Sequence, residues 1–266
     1  MTKTCSIAVA QTCPVKGDVP ANVAEHIRLA RLAATEGAQL VVFPELSLTG
    51  YELPLADQLA FCSDDSRLTA LREVAELSGI TLVVGAPLRI DSRLCIGAMI
   101  LLPDRTIKCY TKRRLGTFPT SAACDSCDGS IPPPEPSVFQ PGDHDPPVNV
   151  GDRTAAVAIC ADIGDPAHPQ RAATRGAKIY LASMFVIPSD FDSETAKLSH
   201  YAAQHTMLTA LANFGGPSGS LRSAGRSSIW SERGELLVQL DPTGSGIAVL
   251  SDEGHGRTER GMIVDH

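Results

Sequence analysis

Three reactive side chains in this sequence each follow a short apolar segment. Glu45 follows the run LVVFP, Lys112 follows IKCYT and Cys160 follows AAVAI. A free thiol is mostly protonated at neutral pH because its pKa is about 8.5, and a nearby carboxylate can remove that proton as a general base. A lysine ammonium stabilises both a thiolate and an oxyanion, and the backbone N–H of Ala161 can donate a second hydrogen bond to that oxyanion. These residue types predict a cysteine nucleophile with a base and a cation beside it.

The segment that carries Cys160 predicts a buried strand ending at the cysteine. Residues 153–159 are mostly small or apolar, and turn-forming residues including Gly164 and Pro166 follow. A short apolar run that ends in Gly and Pro is typical of a strand covered on both faces. Chemistry in layered α/β proteins collects at strand ends, so the position suits a nucleophile. For the cysteine alone, a buried structural thiol is the alternative, since free cysteine is among the most buried residue types.

The rest of the chain alternates between strand and helix patterns. Helical spacing predicts helices from a capping box at Asn22–Glu25 to Gly37, and over 66–78, 167–175 and 193–213. Apolar runs between turn residues predict strands at 5–12, 39–43, 81–87, 93–102, 106–111, 153–159, 178–183, 225–231, 235–240 and 246–250, followed by a polar tail. Residues 116–147, rich in Pro, Gly, Ser and Asp, predict a long loop. This order predicts an α/β fold, which we interpret as one domain over residues 1–266.

Composition narrows the classes of partner. The 266 residues are 43% hydrophobic with a net charge of −7 and a pI of about 5.5, so neither nucleic acid nor an anionic membrane surface is an expected partner. No apolar run approaches the roughly 18 residues that a membrane span requires. The first ten residues lack the apolar core of a signal peptide. We therefore expect a cytoplasmic protein whose eight cysteines are reduced.

In the segments around Glu45, Lys112 and Cys160 the sequence resembles the nitrilase superfamily of carbon-nitrogen hydrolases. That family has a glutamate, a lysine and a cysteine in this chain order, within Phe-Pro-Glu, Tyr-x-Lys and Ile-Cys-x-Asp segments. Here the three segments are Phe43–Glu45, Tyr110–Lys112 and Ile159–Asp162. A second family glutamate precedes a Phe-x-Pro-Gly segment and matches Glu135. The late pattern with Asn213, Gly225, Ser227, Ile229 and Gly234 also looks like that of the family.

The resemblance implies a fold, a chemistry and an assembly. The fold is a four-layer α-β-β-α sandwich with two mixed sheets face to face and helices outside. The activity is that of a cofactor-free amidase acting on a small amide, in which Glu45 is the base, Cys160 forms a thioester and Lys112 with the Ala161 N–H binds the oxyanion. Glu135 positions Lys112 and the substrate amide. Members pair through helices beside the active site, so a homodimer or higher homo-oligomer is expected.

The turn after Cys160 departs from the family pattern. The family often continues Cys-Tyr-Asp-x-Arg-Phe-Pro-Glu, whereas this chain reads CADIGDPAHP. The missing arginine favours a neutral or amine-bearing substrate over one with a carboxylate. The loop 116–134 and the segment 184–192 are expected to wall the pocket. The individual pocket candidates are Tyr51, Asp162, His168, Met184 and Phe185.

Other motifs support other functions less well. Cys124 and Cys127 have CxxC spacing, but no second ligand pair completes a zinc site, and no metal is expected. His168 and His205 invite a Cys-His dyad interpretation, although supporting or core roles fit their positions better. Ser218 does not fit the Gly-x-Ser-x-Gly elbow of serine hydrolases. A nitrilase or an N-carbamoyl amide hydrolase remains an alternative within the family, and a non-catalytic scaffold that binds a metabolite or partner is the alternative from another class.

Overall fold

Two β-sheets form the centre of the molecule in the computed structural model, which describes residues 5–252 and 256–264. The strands in chain order are β1 Cys5–Gln11, β2 Leu40–Val42, β3 Thr81–Ile90, β4 Arg93–Leu101, β5 Ile107–Thr111, β6 Val148–Val150, β7 Arg153–Ile159, β8 Ile179–Ser183, β9 Leu208–Ala212, β10 Ser228–Trp230, β11 Leu236–Gln239, β12 Ser245–Asp252 and β13 Arg257–Val264. One sheet has the order β13-β12-β1-β2-β3-β4-β5 and the other β11-β10-β9-β8-β7-β6.

Helices cover the outer face of each sheet. They are α1 Val19–Thr35, α2 Ala56–Leu59, α3 Thr69–Ser78, α4 Ala167–Thr174 and α5 Phe191–His205. The first sheet packs on α1 and α3 through one apolar cluster, and the second packs on α4 and α5 through another. A third cluster fills the space between the sheets. Apolar side chains on both faces of the central strands produce these layers. The predicted four-layer α-β-β-α sandwich is confirmed.

Each sheet has a parallel core of the same design. In the first sheet β1, β2 and β3 run parallel, and in the second β7, β8 and β9 do. Each parallel pair is joined by a helical crossover, as parallel strands require. The two cores are packed face to face, so polar residues that follow the carboxyl ends of β2 and β7 can meet between the sheets.

Helix α1 begins differently from the prediction. Its N-cap is Asp18, whose side chain accepts a hydrogen bond from the Ala21 N–H at 3.0 Å. Asn22, predicted as the cap, lies one turn inside the helix, and its buried amide bonds to the backbone of Val15 and Leu48. Since aspartate and asparagine are equally good caps, the pattern alone did not distinguish them.

The predicted helix 193–213 is wrong in its second half. Helix α5 ends at His205, because Thr206 has a left-handed φ of 53°. The segment Leu208–Ala212 is instead β9, which is buried and pairs with both β8 and β10. A short apolar run fits a helix and a buried strand equally well, and only the neighbouring strands decide between them.

The prediction of a polar tail after residue 250 is also wrong for the described residues of that segment. Arg257–Val264 forms β13, which pairs antiparallel with β12 along its whole length. Its residues are exposed or half-buried, and an edge strand with one solvated face has little apolar periodicity to detect. Within 5–252 and 256–264, every helix is too short or too polar to cross a bilayer.

Candidate active site

Glu45, Lys112 and Glu135 form a buried chain of charges between the sheets. The Lys112 Nζ donates to Glu45 Oε1 and to Glu135 Oε1, each at 2.7 Å. All three side chains are at most 1% exposed. A buried ammonium needs compensating charge, and two carboxylates at hydrogen-bond distance supply it. With both carboxyl groups ionised, the trio therefore carries one net negative charge next to the Cys160 turn.

Lys112 follows the end of β5 and is fixed through its backbone. Its N–H donates to the Ile96 carbonyl at 2.8 Å, and its carbonyl accepts from the Gly142 N–H at 2.8 Å. The second contact folds the segment after Glu135 back onto β5. Strand pairing with β4 thus aims the side chain inward, although Lys112 lies just outside the strand.

Glu135 sits on a single 3-10 turn inside the long loop and is held by several donors. Besides Lys112, the Tyr51 hydroxyl donates to its Oε1 at 2.7 Å, and the Gly116 N–H donates to its Oε2 at 2.6 Å. Multiple donors fix the position of the carboxylate and give both of its oxygens hydrogen-bond partners. This contact set is what allows a carboxylate in a Pro-rich loop to be buried.

Cys160 lies at the end of β7, on the first residue of a 3-10 turn. It has a positive φ of 42°, which is uncommon for a residue other than glycine and is found in strained functional turns. Its Sγ lies 3.8 Å from the Phe185 carbonyl oxygen. Unlike the buried trio, Cys160 is partly exposed, and it opens onto a cavity of about 410 Å³.

The charge balance of the site favours a thiol beside a carboxylate. Burial raises the pKa of Glu45 to about 7, although the attraction of Lys112 opposes the shift. Burial and the Glu45 charge raise the pKa of Cys160 well above its usual value. Burial would lower the pKa of Lys112, but the surrounding negative groups raise it, so the ammonium persists. Above pH 7 the site therefore holds a carboxylate, an ammonium and a thiol.

One oxygen of Glu45 is free to act as the base. Its Oε1 is bonded to Lys112, whereas its Oε2 is buried and has no hydrogen-bond partner among the described residues. A buried unsatisfied carboxylate oxygen is costly and calls for an explanation. Such an atom can accept a proton from a neighbouring acid, which is what general-base catalysis by Glu45 requires.

Comparison with known proteins identifies the family. A family model described as carbon-nitrogen hydrolase matches residues 6–251. The chain belongs to the carbon-nitrogen hydrolase family, within the nitrilase superfamily. It is therefore a hydrolase that acts on carbon–nitrogen bonds.

Solved structures of an amidase from Nesterenkonia sp. AN1 share the fold of this carbon-nitrogen hydrolase. A mutant with the acetamide moiety of fluoroacetamide added covalently at the active-site cysteine has a TM-score of 0.81 and 25% identity, with 94% of this chain and 91% of that chain covered. A mutant with the product of Michael addition of acrylamide at that cysteine has a TM-score of 0.78 and 25% identity, with 92% of each chain covered.

Curated relatives include glutamine-dependent NAD(+) synthetases, which are much longer proteins. The Mycobacterium tuberculosis protein is 37% identical over 105 residues, which is 38% of this chain and 15% of that protein. The Thermotoga maritima protein is 26% identical over 243 residues, covering 88% of this chain and 40% of that protein. This chain thus spans less than half the length of either relative.

The structure of this carbon-nitrogen hydrolase places most of the sequence-predicted site residues around one cavity. Glu45 and Lys112 lie beneath it, and Cys160, Ala161 and Glu135 line it. The pocket candidates Tyr51, Met184 and Phe185 line it as well. Residues from the loop 116–134 and the segment 184–192 form part of its wall, as the sequence predicts.

Asp162 and His168 lie behind the site and do not line the cavity. Asp162 is 1% exposed and accepts four hydrogen bonds from the segments around Lys112 and Cys160. The His168 ring bonds to the hydroxyls of Tyr110 and Tyr180 at 2.9 and 2.8 Å. A buried carboxylate and a buried imidazole both need polar partners, and the turn itself provides them. The sequence predicted both residues as pocket candidates, and the structure places them behind the cavity wall instead.

Four charged residues on the cavity wall were not singled out from the sequence. They are Arg114, Asp190, Glu194 and Lys197. Glu194 and Lys197 pair with each other at 2.6 Å. Arg114 is exposed, and its Nη1 donates to the Gly164 carbonyl at 3.3 Å, at the cavity rim. A basic run next to Lys112 and acidic residues at a helix start look like ordinary solvated charges, so no sequence signal marked them.

Proposed function

We propose that this protein is an amidase that releases ammonia from a small primary amide through a thioester at Cys160. One observation carries the proposal: the half-buried Cys160 lines a cavity together with Glu135, which is one end of the buried Glu45–Lys112–Glu135 chain. The covalent adducts at the cysteine of the Nesterenkonia amidase, formed from amide reagents, support it.

The chemistry follows from the protonation states of the site. The Oε2 of Glu45 accepts the thiol proton as Sγ attacks the amide carbonyl, because a pKa of about 7 suits a general base at neutral pH. Lys112 and the Ala161 N–H stabilise the oxyanion. Glu45 returns the proton to the leaving nitrogen, and ammonia departs. Glu45 then activates a water molecule that hydrolyses the thioester and regenerates the thiol.

The polar atoms beside Cys160 favour an amide over a nitrile. The Glu135 carboxylate lines the cavity, and the Phe185 carbonyl lies next to Sγ. Both are hydrogen-bond acceptors, and a primary amide offers them N–H donors, whereas a nitrile nitrogen offers none. Nitrile or N-carbamoyl hydrolysis is the alternative reaction on the same residues.

The cavity wall also indicates which groups the amide would carry. Asp190 makes no side-chain hydrogen bond or ion pair within the described part of the chain, and the Arg114 guanidinium has only a carbonyl partner. An unpaired carboxylate attracts an ammonium, and an unpaired guanidinium attracts a carboxylate. The relatives named above are glutamine-dependent, and glutamine is a primary amide that carries both groups. Glutamine therefore belongs among the first substrates to test.

Ammonia release from a panel of small amides, nitriles and N-carbamoyl compounds tests the proposal. We expect amides to be hydrolysed by the wild type and not by Cys160→Ala. Cys13→Ala is the matched control, because Cys13 is also half-buried but lies outside the cavity. Release that survives Cys160→Ala would rule out the mechanism, and release only from nitriles or N-carbamoyl compounds would select the alternative reaction. If no substrate is hydrolysed and Cys160 resists alkylation at neutral pH, the scaffold hypothesis replaces the enzyme hypothesis.

We also propose that the protein assembles at least as a homodimer, as the family resemblance implies. The helix beside the cavity is α5, which contributes Glu194 and Lys197 to the wall. Light scattering after size-exclusion chromatography checks the expectation. A single species at the monomer mass of 28.0 kDa would contradict it.

A further inference from the structure

The carboxyl group of Glu45, the proposed general base, has few hydrogen-bond partners to fix its orientation. Lys112 donates to its Oε1, whereas Oε2 is without a hydrogen-bond partner among the described residues, and the other side chain that acts directly on this carboxyl is the Cys160 thiol itself. Apart from the nucleophile, one contact from Lys112 holds the end of the side chain, so its orientation depends on the backbone that carries it. The aim of Oε2 is therefore set by the turn at residues 44–47.

That turn sits tightly against strand β3. Leu46 has a left-handed φ of 53°. The turn lies directly on Gly85, where an added Cβ would come within 2.3 Å of the Pro44 carbonyl oxygen and 2.5 Å of the Leu46 nitrogen. A turn with such a conformation persists only when its surroundings hold it in place.

A side-chain network from helix α1 holds the turn. The Oγ of Ser47 bonds to the His26 Nε2 at 2.8 Å and accepts a hydrogen bond from the Gly85 N–H at 3.2 Å. The His26 Nδ1 bonds to the Asn22 carbonyl at 2.7 Å. The imidazole also stacks on Phe43, two residues before Glu45, with the ring centroids 4.2 Å apart. Both His26 and Ser47 are 1% exposed.

The direction of each hydrogen bond in this network is determined. A carbonyl oxygen only accepts, so the His26 Nδ1 carries the proton. Burial lowers the pKa of His26 to about 4, so the ring is neutral at neutral pH and its Nε2 is an acceptor. Ser47 therefore donates to His26 and accepts from Gly85. Every donor has one acceptor, which makes the network fully satisfied and rigid.

We propose that His26 and Ser47 are positioning residues for Glu45, which lock the turn at residues 44–47 onto β3 and so aim the free Oε2 at Cys160. Neither residue touches the reacting atoms. The inference rests on the proposed function only in naming Glu45 as the base, because the network itself is a feature of the fold. It assigns a catalytic consequence to an imidazole that lies on the far side of the turn from the cavity.

Three variants separate positioning from simple stability. His26→Gln keeps an acceptor at the Nε2 position for Ser47, whereas His26→Asn keeps only the donor to Asn22, and Ser47→Ala removes the link. We expect His26→Asn and Ser47→Ala to lower kcat about 10-fold or more with KM changed less than about twofold, since small misplacements of a catalytic group cost rate. The acid limb of kcat/KM should move upward, because Glu45 shifted away from Lys112 loses the attraction that favours its charge. His26→Gln should keep most of the wild-type kcat and leave the acid limb of kcat/KM near its wild-type position.

A readout without substrate keeps this test independent of the amidase proposal. The rate of Cys160 alkylation by iodoacetamide is measured against pH in the same variants, with Glu45→Gln as the reference for a lost base. Leu29→Ala is the stability control, because Leu29 is buried on the same helix and in the same apolar cluster as Phe43, but its side chain has no polar atom that could bond to the turn. It should lower Tm and leave the acid limb unchanged. If the His26 and Ser47 variants lower Tm like Leu29→Ala but leave both pH profiles unchanged, the residues are structural only and the proposal is wrong.

Discussion

The pKa of Glu45 connects the site geometry to a pH profile. Burial raises this pKa to about 7, and a base works only in its ionised form. We therefore expect kcat/KM for a neutral amide to rise with pH up to about 7 and then to level off. Below pH 7 it should fall about tenfold per pH unit, as expected for one required ionisation. Initial rates of ammonia release between pH 5.5 and 8.5 measure this, and a flat profile across pH 6–8 would argue against Glu45 as the base.

The Asp190 carboxyl on the cavity wall leads to a prediction about the charge of the substrate. Burial and the nearby charges of Glu194 and Asp125 raise the pKa of its carboxyl, and the Lys197 charge offsets them only in part, so a further cation would stabilise the carboxylate. We expect Asp190→Asn to lower kcat/KM about tenfold for an ammonium-bearing amide, because a charge-assisted hydrogen bond is lost. An uncharged amide of equal length should change much less. Asp192→Asn is the control, because Asp192 is exposed in the first turn of α5, which Asp190 precedes, and does not line the cavity. An equal loss for both amides would mean that Asp190 does not recognise the charge of the substrate.

Individual elements differ in how well the sequence predicts them. The strands before Glu45, Lys112 and Cys160 are predictable because each is a short apolar run that ends in turn residues. The placement of Glu135 is not, since its burial depends on donors from Tyr51 and Gly116 that lie far apart in sequence. The site chemistry was therefore accessible from residue types and order. The residues of the cavity wall were not predictable in the same way, because the sequence does not show whether charged residues at the start of a helix face a cavity or solvent.

The boundary between α5 and β9 shows the same limit. The residues on either side of Thr206 continue one apolar pattern, so periodicity alone extends the helix through it. What breaks the helix is the conformation of Thr206, and nothing in a threonine side chain encodes a φ of 53°. The strain is supported by the neighbours β8 and β10, which pair with β9 once it forms.

That strained helix end predicts a stabilising substitution. A left-handed conformation costs a residue other than glycine about 1–2 kcal/mol, and glycine gives back part of this through its larger chain entropy. We expect Thr206→Gly to raise the free energy of unfolding by about 0.5–1 kcal/mol and Tm by about 2 °C. Thr206 is exposed and outside the cavity wall, so kcat/KM should not change. Thr195→Gly, within the same helix, should have the opposite effect on Tm in calorimetry; equal shifts would show that Thr206 is not strained.

At the scale of the whole molecule, the active site is a junction of the two sheets. Glu45 and Lys112 belong to segments that follow β2 and β5, whereas Cys160 and Phe185 follow β7 and β8. Apolar packing between the sheets does not specify their relative position to a fraction of an ångström, but directional hydrogen bonds do. One such tie is the Ser183 hydroxyl, which donates to the Phe43 carbonyl at 2.8 Å. The catalytic geometry thus depends on buried polar ties across the layer.

Asp162 is the tie nearest to both catalytic segments. Its Oδ1 accepts from the Arg113 and Arg114 N–H groups at 3.0 and 2.8 Å, directly after Lys112. Its Oδ2 accepts from the Tyr110 hydroxyl at 2.7 Å and from the Ile159 N–H at 3.0 Å, directly before Cys160. One carboxylate therefore joins the ends of β5 and β7, and both of its oxygens are needed.

Replacement of that carboxylate by an amide should uncouple the sheets locally. In Asp162→Asn an NH₂ group replaces one oxygen. If it faces Arg113 and Arg114, two backbone N–H groups lose their acceptor; if it faces Tyr110, the hydroxyl can accept from it and the Ile159 N–H alone loses its acceptor. Hydrogen bonds to charged groups contribute about 1.5–3 kcal/mol each, so with at least one lost we expect the free energy of unfolding to fall by about 2 kcal/mol. We also expect kcat to fall at least about tenfold, because Lys112 and Cys160 lose their common anchor. Asp165→Asn is the control, since Asp165 directly follows the same turn but is only half-buried and its side chain pairs with the local partners Ala167 and Arg171. Urea unfolding and ammonia release on both variants measure the two effects, and an Asp162→Asn enzyme as active as Asp165→Asn would show that the sheets keep the site in register without this tie.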